Sequence, residues 1–399
     1  MNPGRQNARR TWMWAWRLVC LAVVFSLAAA QCSRPTPTPS PTVRVAILTP
    51  MTGELATFGE TVRNGITLAF DAWNDQGGVN GQRIEWVLED TRCDPVEARR
   101  AAERAIIEQG LHFIVGGLCS EAAIPIANVA DEQGALFIAT TATHPLVTVD
   151  GSGATRPMIF RAAYAYPYQG RAAARFAVNE LNARRAAVLI NPSDDFVRSL
   201  GDEFAAAFVA GGGQIVATST YPQAGPTGTS QDADFGEAIA NLAKAEPEVL
   251  YVPDAYPVAN RIGKQVRAQA LDVTLIGSDV WDSGSLDLDA LDGAYFTLQY
   301  SRETPNPAAK AWEGQYLSAF ALEPDTLAAL GYDAASLLAS AAESGGSLSP
   351  DVVARRLEAM EFEGVTGRWR FDVQHNPVKP VAVVRVQEGR VVFYTAVQP

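Results

Sequence analysis

Phe113-Ile114-Val115-Gly116-Gly117-Leu118-Cys119-Ser120-Glu121 is the stretch whose reading decides the fold. A short apolar, β-branched run reads as a buried strand, two glycines let the backbone turn sharply, and a serine stands where a helical pattern begins. At such a position Ser120 can present its hydroxyl and the free amides beyond it to a carboxylate, or it can simply cap its own helix. Pro125, early in that helix, removes a backbone donor.

The same unit recurs on both sides. Upstream, Val43 to Leu48 and Ile84 to Leu88 read as strands, and Val62, Ile66, Ala69, Phe70 and Trp73 have helical spacing ending at Gly77-Gly78. Asp94-Pro95-Val96-Glu97 opens a helix with a cap, a proline at the first helical position and an acid behind it. Downstream, strands are expected near 136–139, 186–190, 215–217, 249–252 and 273–276, with helices between them. Such alternation predicts an α/β fold with parallel, doubly wound sheets. Beyond about residue 300 the pattern changes to helices over 307–320, 326–343 and 350–359, then closing strands over 368–371, 381–386 and 391–396.

The N-terminus carries an export signal. Arg5, Arg9, Arg10 and Arg17 precede an uncharged apolar run, Leu18 to Ala30, too short to span a bilayer. Residues 1–31 are read as a signal peptide and 32–42 as a Pro/Ser/Thr tether. Cys32 resembles the acylated cysteine of a bacterial lipoprotein, although Gln31 departs from the small residue usual before it; ordinary cleavage after Ala30 is the alternative. Cys93 and Cys119 are then the cysteines of the globular part, and in an oxidising compartment an even pair reads as a disulfide rather than two buried thiols.

The chain of 399 residues is long enough for two domains after processing. Losing the leader removes four arginines and no acids, which takes the formal net charge from −12 to −16. That surface disfavours nucleic acid and anionic lipid as partners. His112, His144 and His375 show no metal-ligand spacing, no Gly-x-Ser-x-Gly elbow is present, and neither glycine-rich run fits a phosphate loop. No enzyme, metal or cofactor is expected.

Ligands in open α/β sheets sit outside the carboxyl ends of strands. The loops to watch are therefore Met51 to Gly59, Gly116 to Glu121, Thr140 to Pro145 and Ser278 to Ser283. In the last, acids stand beside Trp281, the one tryptophan expected near a ligand.

In order, these loops resemble the leucine/isoleucine/valine-binding family of periplasmic solute-binding proteins, of the type I fold. The motifs that carry the resemblance are Pro50-Met51-Thr52-Gly53 with Phe58-Gly59, Asn74 to Gly81, Glu89 to Pro95, Gly117-Leu118-Cys119-Ser120, Ala142-Thr143 with Pro145, and Gly277-Ser278-Asp279. The resemblance implies two Rossmann-like lobes joined by three crossover strands, the first over 43–162 and 300–370, the second over 163–299 and 371–399. It implies a monomer, exported and lipid-anchored, that captures an amino acid for an ABC permease.

By the same resemblance, Ser120 and Thr143 hold the ligand carboxylate, the backbone around Thr141 and Ala142 helps hold the ammonium, and Asp279 pairs with it. Asp279 is one methylene shorter than the more familiar Glu. Phe58 matches a first-lobe aromatic, Phe196 replaces a common tyrosine, and Tyr256 stands beside Ala255, where another tyrosine is usual. An amide, urea or small carboxylate as ligand, or a sensor role with a separate receptor chain, are the alternatives.

Overall fold

The computed structural model describes residues 41–221 and 235–398; residues 1–31, read above as a signal peptide, most of the stretch read as a tether, and Cys32 lie outside the described residues. The chain opens with β1 (Thr42–Thr49), α1 (Ala56–Asp75), β2 (Arg83–Asp90), α2 (Pro95–Glu103), β3 (Phe113–Gly116), α3 (Ser120–Gln133), β4 (Leu136–Ala139) and β5 (Ile159–Arg161). These strands form a five-stranded sheet in the order β2-β1-β3-β4-β5, parallel throughout.

A second run follows: α4 (Tyr166–Asn179), β6 (Arg185–Ile190), α5 (Asp195–Ala210), β7 (Gln214–Thr220), α6 (Gly236–Ala243), β8 (Val249–Tyr251), α7 (Tyr256–Ala268), β9 (Thr274–Gly277) and β10 (Tyr295–Leu298). After α8 (Pro307–Phe320), α9 (Thr326–Glu343) and α10 (Pro350–Ala359) come β11 (Glu361–Gly364), β12 (Gly367–Phe371), β13 (Pro377–Val378), β14 (Val381–Gln387) and β15 (Arg390–Val397). The second sheet is seven-stranded, ordered β15-β14-β10-β9-β8-β6-β7, and β11-β12-β13 make a small third sheet. In the second sheet β14 alone is reversed, running antiparallel to both of its neighbours, β10 and β15.

Local chemistry sets the helix ends. The Asp94 side chain accepts from the amides of Val96 and Glu97, both at 2.9 Å, with Pro95 behind it, as the sequence predicts. Asp194 does the same for α5, and Asn306 followed by Pro307 opens α8. Each of the two large sheets is packed by helices on both faces. The first lies between α1, α9 and α10, whose Ile66, Phe70, Leu337 and Leu357 meet Val45 and Ile138, and the small apolar faces of α2 and α3. The second is covered by α6 and α7 on one face and by α4 and α5 on the other. Burying each such Ile, Leu, Val or Phe contributes about 1.5–3 kcal/mol, which fixes the face each helix presents.

Some elements are not in the sequence reading. The strands β5, β10, β11 and β13 are short, and a π-helical turn, Arg104–Glu108, prolongs α2. The chain crosses between the large sheets at 162–165 and 299–306, and again at Lys379-Pro380. Because β13 still pairs with β12, the last crossing lies beyond the 370/371 boundary read from the sequence.

Candidate functional site

All the loops singled out in the sequence lie at carboxyl ends of parallel strands. In the first sheet β2 and β3 flank β1, so the chain winds both ways from that strand and opens a crevice between β1 and β3. Gly116 closes the crevice floor: its φ is +149°, and a Cβ there would come within 2.0 Å of the Leu48 carbonyl oxygen. Only glycine fits. Cys119 caps α3 without a side-chain hydrogen bond, so Ser120 is the first helical residue and does not cap its own helix. Its Oγ instead accepts from the His144 amide at 3.3 Å.

The neighbouring loops hold that position in place. Cys93 and Cys119 are joined by a disulfide with Cα atoms 5.7 Å apart. The Thr141 hydroxyl donates to the Leu118 carbonyl at 2.9 Å. Asp90 accepts from the Met51 amide at 2.8 Å, the Thr52 hydroxyl at 2.5 Å and the Arg92 amide at 2.9 Å. Burial works against the Asp90 charge, yet these hydrogen bonds prevail and hold its carboxyl below the usual range.

A residue not singled out in the sequence braces the loop after β4. Arg161, fully buried at the end of β5, donates to the carbonyls of Ala142 at 3.2 Å, His144 at 2.9 Å and Pro145 at 3.2 Å, and to the Thr148 hydroxyl at 3.0 Å. Ala142 is buried and its carbonyl is taken by Arg161. Thr143 is half-buried; its carbonyl accepts from the Tyr166 amide at 3.1 Å. No loop rule identifies a strand-end arginine as such a brace.

Tyr166 opens α4 and links this loop to the second sheet. Its ring meets the His144 ring edge-on at 5.7 Å and the Phe196 ring at 5.6 Å. His144 Nδ1 accepts from the Leu146 amide at 3.1 Å, and burial, aided by the Arg161 charge, pulls its pKa down. Phe58 on α1 is half exposed and Tyr256, at the start of α7, is half-buried.

One turn further along α4 from Tyr166, Gln169 meets Asp279. The acid begins a 3-10 turn, Asp279–Trp281, after β9, and its carboxylate accepts from the Gln169 amide and from the Val280 backbone amide. Gln169, fully buried, also donates to the Thr297 hydroxyl at 2.7 Å. Desolvation pushes the Asp279 carboxyl up to about 6, against those hydrogen bonds. The buried hydroxyls of Tyr164 and Tyr251 have no protein hydrogen-bond partner among the described residues. Burial first, and then the Asp279 charge, push both phenols upward.

One expectation is corrected. Trp281 is fully buried, packed among core residues of the second sheet and close against Gly277, where a Cβ would come within 2.2 Å of its ring. Its apolar bulk plugs the space under β9 instead of facing a ligand. Among the described residues, no group of His, Cys, Asp and Glu could hold a metal ion, and no helix is long and apolar enough to cross a membrane.

Residues 42–390 match the periplasmic binding protein family. The leucine-, isoleucine-, valine-, threonine-, and alanine-binding protein of Pseudomonas aeruginosa is 29% identical, over 83% of this chain and 86% of its own length. A leucine binding protein, LivK, from Thermotoga maritima is 30% identical, covering 90% of this chain and 99% of its own, with a TM-score of 0.72. LivJ from Streptococcus pneumoniae, solved in complex with isoleucine, is 26% identical over 90% of this chain and 100% of its own, with a TM-score of 0.71. With its α/β lobes and its matched span, the chain belongs to the periplasmic binding protein family.

Proposed function

We propose that this protein is the extracytoplasmic capture component of an ABC transporter, closing two lobes on an α-amino acid and delivering it to a membrane permease. The observation that carries the reading is the pairing of opposite chemistries at the strand ends of the two sheets. Ser120 and Thr143 offer neutral hydroxyls beside the free amides at the start of α3, suited to a carboxylate, while Asp279 offers a desolvated acid suited to an ammonium. A zwitterion satisfies both ends, and the relatives named for leucine, isoleucine and valine support an aliphatic side chain.

In this reading Phe58, Thr141, Phe196 and Tyr256 flank the ligand, the lobes divide near the chain crossings, and the chain works as a monomer without catalysis. Export by the leader, acylation of Cys32 and oxidation of Cys93 and Cys119 belong to the same proposal.

Thermal shift of ligand-stripped protein against α-amino acids and their deaminated analogues tests it, since a ligand that binds the folded form raises the melting temperature by mass action. Stabilisation by an α-amino acid and not by its deaminated analogue is the expected result. Stabilisation by an amide, urea or carboxylate alone would overturn the role given to Asp279.

A further inference from the structure

Lys379 is fully buried, as is Asp333 on α9. The Lys379 Nζ donates to the Ala162 carbonyl at 3.0 Å and to the Thr366 Oγ1 at 3.0 Å. Thr366 in turn donates through its hydroxyl to Asp333 at 2.5 Å, and the Val365 and Thr366 amides donate to the same carboxylate at 2.7 and 2.9 Å. The ammonium lies 5.7 Å from the Trp369 ring centre and 5.9 Å from that of Tyr164. A Cβ on Gly364 would come within 2.5 Å of the Asp333 carboxylate, so that turn admits no larger residue.

The position of this knot matters more than its strength. Ala162 belongs to the first crossing and Lys379 to the last, while Asp333, Thr366 and Trp369 belong to the body around the first sheet. The first crossing is tied to that body again, through Ala162 to the Ala139 carbonyl at 2.8 Å and Ala163 to the Thr140 carbonyl at 3.1 Å. On the other side Tyr168 of α4 donates to the Lys379 carbonyl at 2.8 Å, and the Tyr164 amide to Gln299 of the middle crossing at 3.1 Å. Burial presses Lys379 toward neutrality, to about 8, against the pull of Asp333.

We propose that Lys379 is a positioning residue for ligand capture: it clamps the first and last crossings to the first lobe, confining lobe motion to the residues beyond the clamp. Ser120 and Asp279 are then brought to one ligand by a bend at about 164–165 and 380, not by looseness along whole crossings. The inference rests on the two-lobed capture reading, but its consequence is measurable without any ligand.

The test uses the full chain with dyes on clickable residues at the exposed positions Val96 and Val209, one beside each large sheet. Single-molecule energy transfer reads the separation in ligand-free protein. Lys379→Met removes the clamp and leaves the buried Asp333 without its cation, so the melting temperature should fall, while Asp333 keeps its donors from Val365 and Thr366. The expected result is a broader distribution with a larger mean separation. Thr366→Val, which removes only the shared hydroxyl, should shift it the same way by less, and stands in if the lysine variant does not fold. An unchanged distribution in the folded variants would overturn the clamp. Broadening in the variants, together with a wild type that no α-amino acid closes, would instead sink the transport reading and leave the clamp standing.

Discussion

The Ser120 side and the Asp279 side of the site are built on opposite principles. Around Ser120 nearly everything is fixed in advance: the disulfide at Cys119, Thr141 on the Leu118 carbonyl, the His144 amide on Oγ and Arg161 under the loop. The groups proposed for recognition there are neutral hydroxyls and amides, which can wait for a carboxylate at small energetic cost. Around Asp279 the group proposed to recognise the ligand is an acid in a poorly solvated position, supported by Gln169, with the hydroxyls of Tyr164 and Tyr251, unpartnered among the described residues, buried in the same lobe. That side holds unfavourable charge until a cation arrives. In the proposed capture role the difference teaches that the neutral side can be rigid because it is cheap to keep, whereas the charged side would supply discrimination because at neutral pH a cation relieves it.

Removing the acid breaks the contrast outright. Asp279→Ala should weaken binding of the cognate amino acid by roughly 2 to 5 kcal/mol, the usual range for stripping one partner from a buried charge pair, as read by calorimetry. Unchanged affinity would mean that both sides are neutral in effect.

The rigid side is attacked through its covalent bond. Replacing Cys93 and Cys119 together by serine should lower unfolding stability by roughly 3 to 4 kcal/mol in the chain-entropy model, measured by urea denaturation. Carboxylate recognition should weaken as well, because Ser120 follows the lost link directly. A loss of stability with affinity intact would show that Thr141 and Arg161 hold the loop without it.

Ser120→Ala removes one neutral hydrogen-bonding group and should cost about 0.5–1.5 kcal/mol of affinity, less than the acid, by the same calorimetry. A loss as large as that of the Asp279 variant would erase the distinction between the sides.

Acidity sharpens the comparison most gently. The folded Asp279 pKa, about 6, lies above the ordinary 3.8, so the ligand-free protein binds this proton more readily than the unfolded chain. This group therefore disfavours folding above pH 6, and the penalty is relieved as pH falls toward 3.8. Binding moves the other way, since a protonated Asp279 cannot pair with an ammonium. Affinity should fall by about tenfold per pH unit below pH 6, and Asp279→Asn should abolish that dependence. A flat profile in the wild type would place the ammonium elsewhere.

Much of this was legible without coordinates. Strand and helix alternation, the helices over 307–320, 326–343 and 350–359, the Asp94-Pro95 cap and the glycine turn before Ser120 are local, governed by periodicity, capping and steric freedom within a few residues. So was the choice of strand-end loops, because in parallel sheets those ends follow from the order of elements.

What the sequence could not decide depends on which distant groups meet. Gln169 is found as the partner of Asp279, Arg161 beneath the Ala142 to Pro145 loop, and Lys379 between Ala162 and Thr366 only once the sheets are packed. Trp281 shows the same limit from the other side, since composition makes a tryptophan beside acids a plausible ligand contact and only packing reveals it as core. By itself the sequence determined the elements and the order of their loops, through short-range backbone and solvation preferences. The tertiary structure alone decided which side chains are desolvated together, because burial and pairing across the fold arise from packing and leave no periodic trace along the chain.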